Sequence, residues 1–236
     1  MNKQSSLYTI IYISVIVIVV GAGLAATYMA LKDLQTENAN ADKMKQILAS
    51  VHAEIKEGEK VSDVFNRHIT KQLVVNSEGA TIGNDAFDVD VQEQSKIKDI
   101  TKRQLPVYVC TVANGDTKYI IPVYGAGLWG PIWGYVALDS DGSTVYGAYY
   151  AHQGETPGLG AEIEKPEFQK LFIGKHLFKD GKYLPIAVVK KGQQPANGED
   201  YVDGISGGTI TSKGVSAMLS DCLLPYKAFL ENIDKQ

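Results

Sequence analysis

The chain has 236 residues, 44% of them apolar and 21% charged, enough for one good-sized globular domain plus an appendage. Its net charge of −4 leaves no basic stripe, which excludes nucleic acid as an expected partner. The two cysteines, Cys110 and Cys222, lack CxxC or Cys/His spacing; they exclude a disulfide framework and a zinc site and read as small apolar core residues.

The appendage comes first. From Leu7 to Leu31 no charged residue occurs, and a helix of that length reaches about 37 Å, more than the roughly 30 Å of a hydrocarbon core. A cleaved signal peptide has an apolar region of only about 7 to 15 residues, so the expectation is an uncleaved transmembrane helix embedded in a lipid bilayer. Tyr8, Tyr12 and Tyr28 suit the two interfaces. Lys3 stands before the span and Lys32, Lys43 and Lys45 after it, so loop charge alone does not orient it. The small residues from Gly21 to Ala26 serve equally as a helix contact face or as permissive packing.

After the span, Met44, Ile47, Leu48, Val51 and Ile55 recur at helical spacing up to Gly58, which predicts an amphipathic helix. Residues 62–68 read as a short capped helix, residues 71–75 as the start of a strand, and the charged residues 93–103 as a connector. The texture then turns to β. Residues 105–112 and 118–124 flank Asn114-Gly115, a turn pair that matches strand twist and predicts a hairpin. Residues 131–139 and 144–151 flank a second turn at Ser140–Ser143. Asp139-Ser-Asp-Gly142 begins like a calcium loop but lacks the later ligands and glutamate, and so reads as an ordinary turn.

Residues 152–172 read as a Gly/Pro loop running into a helix, residues 174–190 as a further hairpin and strand, and residues 192–200 as a polar surface loop. Beyond Ser212, apolar positions from Val215 to Ile233 follow helical spacing, with a kink predicted at Pro225. Helical and strand patterns fall in separate runs, so the expected class is α+β: one transmembrane helix, then a soluble domain with an antiparallel sheet and flanking helices. The expected divisions are 1–32 for the anchor, 33–100 for a membrane-proximal region and 101–236 for the principal domain.

Two glycine-rich stretches carry the chemistry. Gly125-Ala-Gly-Leu-Trp-Gly130 fits GxGxxG literally, but a dinucleotide fingerprint must open a helix, and here Pro131 and an alternating β pattern follow. Trp129 and Trp133 can wall a flat aromatic group or simply pack. The second stretch, Asp203 to Val215, reads DGISGGTITSKGV, with four hydroxyl residues and four glycines. Thr209, Thr211 and Ser212 stand where the last helix starts, a place with unpaired N–H groups and a positive dipole end, and Gly204, Gly207 and Gly208 clear room for a phosphate. The GK[ST] ending of a Walker A loop is absent. Helix capping accounts for one or two of the hydroxyls, but not for Asp203 and the run SGGT.

DGISGGT resembles the flavinylation motif, Asp, two residues, Ser/Thr, Gly, Ala, Thr, whose last threonine carries FMN through a phosphoester bond. HQGETPGLG, from His152 to Gly160, resembles a second block of the same flavin-binding domain. Together with GLWGPIWGY and the single span, they make the whole chain look most like the NqrC family, flavin-carrying subunits of Na+-translocating NADH:quinone oxidoreductases. The corresponding flavin subunit of Rnf ion-translocating electron-transport complexes is the nearest alternative. A membrane-tethered binding domain without cofactor is the alternative of another class.

The resemblance implies that Thr209 is the modified residue, that Asp203, Ser206 and Gly207 flank it in the motif, and that Gly208 stands where alanine is usual. Thr211 joins them at the helix start. For ring contact the candidates are Leu128, Trp129, His152, Glu155, Thr156, Pro157, Gly158, Leu159 and Gly160, with Glu155 expected to hold its loop. No pair forms a convincing nucleophile and base, so no catalytic residue and no metal ligand is expected. The implied partners are a flavin transferase that uses FAD as donor and the other subunits of a membrane complex. The implied task is electron relay, with the flavin domain on the outer, periplasmic face of a bacterial inner membrane. The span holds no ionisable residue, which argues against a sodium path through this chain alone.

Overall fold

A computed structural model describes residues 6–233; Lys3, used above in weighing the orientation of the span, lies outside the described residues. The chain divides into two compact units, one through Lys43 and one from Met44 onward. Helix α1, Ser6–Ser50, is long and apolar enough to cross a membrane.

The helix expected to run to Gly58 is instead the end of α1 and stops at Ser50. His52 takes a left-handed conformation at φ 56°, its N–H bonds to Ala49 O, and the N–H of Ala53 reaches back to Leu48 O. These paired bonds close the last turn and turn the chain out of the helix. Periodicity through Ile55 therefore continues past the helix itself, because an extended residue can still place an apolar side chain on the core.

Helix α2, Val61–His68, runs directly into strand β1, Ile69–Val75, and the short β2, Thr81–Gly83, pairs back on it. No side chain caps α2; Ser62 lies inside its first turn. The charged connector contains a short helix α3, Val91–Lys96, whose N-cap Asp90 accepts from the Glu93 N–H at 3.1 Å. Four longer strands follow: β3 Leu105–Thr111, β4 Thr117–Ala126, β5 Pro131–Leu138 and β6 Val145–His152.

They form one six-stranded antiparallel sheet in the order β2-β1-β3-β4-β5-β6, with Val109 opposite Tyr119, Pro122 opposite Tyr135 and Val136 opposite Ala148. Between β3 and β4 only Gly115 has positive φ, at 89°, and the Val112 N–H bonds to Asp116 O. The connection is thus a three-residue turn with glycine in the left-handed place, not a two-residue Asn-Gly turn. In the second hairpin Asp141 Oδ1 accepts from the N–H groups of Ser143 and Thr144, each at 2.8 Å.

Side chains alternate along these strands into two cores. On one face Val107, Ile121, Val123, Val136, Leu138 and Tyr150 pack with the C-terminal helices. On the other, Tyr108, Cys110, Ile120, Tyr135 and Ala137 pack with Phe65 and with Ile47 and Leu48 from the end of α1. A sheet covered on both faces explains the nearly unbroken apolar runs of β3 to β5.

After β6, the predicted helix is split: a 3-10 turn over Gly160–Glu164 gives way to α4, Pro166–Gln169, because Pro166 has no N–H with which to continue the earlier turn. A small hairpin, β7 Phe178–Lys179 with β8 Lys182–Tyr183, precedes β9, Ala187–Val189, and β10, Tyr201–Asp203. The last two pair in parallel, Val189 beside Asp203. Helix α5, Thr209–Leu223, ends in a 3-10 turn at Leu224–Tyr226 around Pro225, before α6, Lys227–Leu230.

Ile47 is fully buried while Ile18, on the same helix, is 68% exposed. Ile47→Ala is expected to lower unfolding stability by about 2 to 4 kcal/mol, and Ile18→Ala to leave it unchanged. Urea unfolding of the full chain in detergent, followed by tryptophan fluorescence, measures both; equal midpoints would refute the assignment of the end of α1 to the core.

Candidate functional site

The candidate site forms where the β4–β5 turn, the loop after β6 and the start of α5 meet. Gly125-Ala-Gly-Leu-Trp-Gly130 closes a hairpin turn, with the Gly127 N–H bonded to Gly130 O at 2.8 Å, so no helix follows it and no dinucleotide seat exists there. Leu128 and Trp129 stand exposed on that turn, Trp129 at 68%.

Glu155 joins the three segments. Its side chain is buried; Oε1 accepts from the Trp129 N–H at 2.8 Å and Oε2 from the Thr211 hydroxyl at 2.5 Å. Its own N–H donates to Nδ1 of His152 at 3.1 Å, and Nε2 of that half-buried ring lies 3.5 Å from Glu164. A side chain on Gly127 or Gly160 would occupy the space of the carboxylate oxygens, so both positions must stay bare. Glu155 and Thr211 thus satisfy each other inside the protein and do not face solvent.

The rest of the loop is folded on itself. The Thr156 carbonyl accepts from the N–H groups of Leu159 and Ala161, both at 3.1 Å, and the Gly158 N–H donates to Glu162 at 3.0 Å. Thr156, Pro157 and Gly158 are exposed. Leu159, 42% exposed, leans on Gly207, where an added Cβ would lie 2.6 Å from its Cδ2. Gly207 has φ 80°, so the run SGG has both a conformational and a steric reason for its first glycine. Gly208 is close-packed as well: a Cβ would come within 3.1 Å of the Ile205 side chain.

Thr209 is exposed and is the first residue of α5. Gly208 is the N-cap and no side chain caps the helix; Ser212 Oγ instead accepts from the Ile205 N–H at 3.0 Å and steadies the loop. The capping role that could explain these hydroxyls is therefore not filled by any of them. Asp203 ends β10 and is exposed.

Ser206, Gly207 and Thr209 form one wall of a cavity of about 530 Å³. Gly204 and Ser212 line it as well, together with residues that the sequence did not single out: apolar Val188, Val189 and Ile205, and polar Lys190, Lys191, Gln193 and Lys213. Leu128, Trp129 and Leu159 do not line it. The local signal for these residues was the Lys190-Lys191 pair after an apolar strand. Only the parallel β9–β10 pairing brings that pair beside the Ser206–Thr209 loop, and local periodicity does not report it. A second cavity of similar size, about 520 Å³, lies at the far end of α5 around Tyr124, Arg103 and Cys222.

These features fit a flavin esterified through phosphate. Thr209 is exposed, an uncapped helix start favours an anion, and a cavity with apolar walls and a cationic rim adjoins it.

Comparisons with known proteins agree with this geometry. Residues 127–224 match the FMN-binding domain family. The chain is 36% identical over 228 residues to the NqrC subunit of the Na(+)-translocating NADH-quinone reductase of Vibrio anguillarum, covering 90% of this chain and 87% of that one. It is 31% identical over 256 residues to the same subunit of Pseudomonas aeruginosa, covering 99% and 98%. Among solved structures, the corresponding subunit from Parabacteroides distasonis is 48% identical with a TM-score of 0.78, covering 85% of this chain and 96% of that one. NqrC of Shewanella oneidensis is 26% identical with a TM-score of 0.69, covering 84% and 98%.

Replacing Glu155 by alanine leaves the Trp129 N–H and the Thr211 hydroxyl without partners, each at a cost of about 1 to 3 kcal/mol. Glu155→Ala is expected to lower the urea midpoint and to speed amide exchange at residues 127–130 and 209–212, and Glu155→Gln to do so less. Unchanged exchange in both segments would show that the carboxylate does not hold them.

Proposed function

The chain belongs to the NqrC family of Na+-translocating NADH-quinone reductase subunits, and we propose that it serves such a complex as an electron relay through FMN bound covalently to Thr209. The observation that carries this reading is the exposed Thr209 at the uncapped start of a 15-residue helix, in a glycine loop that walls a cavity of about 530 Å³. The bound flavin would supply reversible uptake and release of electrons.

During maturation a flavin transferase would present FAD. Thr209 Oγ1 would attack the phosphorus on the FMN side, forming the ester as the bond to AMP breaks; the hydroxyl proton is lost to a base of the transferase or to solvent. Ser206 and Gly207 line the same cavity as Thr209. The ester keeps one negative charge, and at the start of α5 the helix dipole would stabilise it by about 0.3 to 1 kcal/mol. That small amount favours the position of the phosphate, while the covalent bond retains the flavin where free flavin is scarce.

Glu155 acts at one remove: by holding Thr211 and Trp129 it fixes the first turn of α5 and the Leu128–Trp129 turn against the loop of Thr156, Gly158 and Leu159. Asp203, exposed at the end of β10, is available to the transferase. Residues 101–236 form the flavin-carrying part, residues 33–100 its membrane-proximal part, and residues 1–32 the anchor. In this reading the soluble part lies on the periplasmic face of the inner membrane and meets the other subunits there. In this reading none of the described residues acts as acid, base or metal ligand.

Coexpression of the full chain with a flavin transferase, followed by intact and peptide mass, tests the reading. The expected result is a gain of one FMN less water on the peptide containing Thr209, fluorescence that survives denaturing electrophoresis, and neither signal in Thr209→Ala. A chain left unmodified in cells where another substrate of the transferase is modified would sink it.

A further inference from the structure

The cavity beside Thr209 has a charge pattern opposite to that of the whole chain. Lys190 and Lys191, just after β9, and Lys213, one turn into α5, line it together, and no aspartate or glutamate does. The chain carries a net charge of −4, yet here three cations stand unopposed. Among the described residues none of the three joins an ion pair or makes a side-chain hydrogen bond. Some exposed lysines elsewhere do: Lys96 binds Glu93, Lys179 binds Asp200 and Lys227 binds Glu231.

The other charged or titratable groups near the threonine lie outside the cavity lining. Asp203, at the end of β10, is exposed and does not line the cavity. Glu155 lies behind Thr211, with its carboxylate held by two donors, and His152 is turned to the backbone N–H of Glu155. A phosphodiester on Thr209 brings one negative charge against three lysines and a helix N-terminus. The site therefore holds more positive charge than the ester alone needs, next to apolar walls from Val188, Val189 and Ile205.

We propose that Lys190, Lys191 and Lys213 balance the negative charge that arrives with electrons, so that this cavity selects the anionic form of reduced flavin and thereby sets its potential. The inference rests on the reading that Thr209 carries FMN. Two electrons and one proton convert oxidised flavin to its reduced monoanion, and two electrons and two protons convert it to the neutral reduced form. Unopposed cations at short range favour the monoanion. The second proton then stays in solvent to lower pH, because the acid dissociation constant of the reduced flavin rises. Reduction at neutral pH moves fewer protons, and the relay passes charge with less dependence on proton supply.

The test uses the full chain in detergent, loaded with FMN by a coexpressed transferase, with the mass of every sample recorded. Spectroelectrochemical titration from pH 5 to 9 compares wild type with Lys190→Gln, Lys191→Gln, Lys213→Gln and the triple variant, with Lys227→Gln on α6 as the remote control and a triple Lys→Arg variant as rescue. The triple glutamine variant is expected to have a lower midpoint potential, by about 30 mV for each tenfold loss of preference for the reduced anion in a two-electron couple. The pH at which the slope of potential against pH changes should move upward in that variant, and the arginine variant should match wild type. Raising salt from 0.15 M to 1 M shortens the screening length from about 8 Å to about 3 Å and should shrink the difference. A fully loaded triple glutamine variant with wild-type potential and wild-type pH dependence would overturn the proposal and leave the FMN assignment standing. So would a drop that is equal in Lys227→Gln or unaffected by salt. Absence of FMN from Thr209 in the wild-type chain would overturn both.

Discussion

A single buried carboxylate holds the functional end of this protein together. Glu155 reaches one oxygen to a turn between two strands and the other to the first turn of α5, so three segments distant in sequence share one anchor. The local backbone depends on it: Gly127 and Gly160 lack side chains because the carboxylate fills that space, and Gly160 brings with it the loop whose Leu159 leans on Gly207. Thr209 is two residues from the Thr211 contact and stays exposed. The first turn of α5 is thus held from behind while the Thr209 side chain stays open to solvent.

The large sheet makes that arrangement possible. Because it is covered on both faces, its middle strands are fixed and the β4–β5 turn emerges from a rigid base. One cover is α5, whose start carries Thr209; the other includes the end of α1, so part of the anchor helix is also core. Burial of Ile47 and Leu48 explains why the helix stops where it does: the paired backbone bonds at His52 turn the chain once those side chains are seated.

Electrostatics divide the neighbourhood of Thr209 in two. On the side of Glu155 the charge is internal and satisfied by hydrogen bonds. On the cavity side three lysines have no opposite charge, and a field of that kind acts on whatever anion occupies the space.

Much of this could be read in the sequence, for reasons local to it. Twenty-five uncharged residues mark a span whatever follows, alternation and turn residues mark the two central hairpins, and the contiguous run DGISGGT singles out Thr209 as a candidate. What depends on distant partners could not be read. The periodicity through Ile55 did not reveal that the helix stops at Ser50, since either backbone keeps those side chains on one side. Glu155 was a candidate within its own loop, but its partners Trp129 and Thr211 lie 26 and 56 residues away. The lysine-lined cavity was invisible, because it exists only through the parallel pairing of β9 with β10. The order of residues was enough to set the anchor, the strand pattern and the threonine. Which charges surround that threonine was settled by folding, because an electric field sums over neighbours in space, and local pattern records only neighbours along the chain.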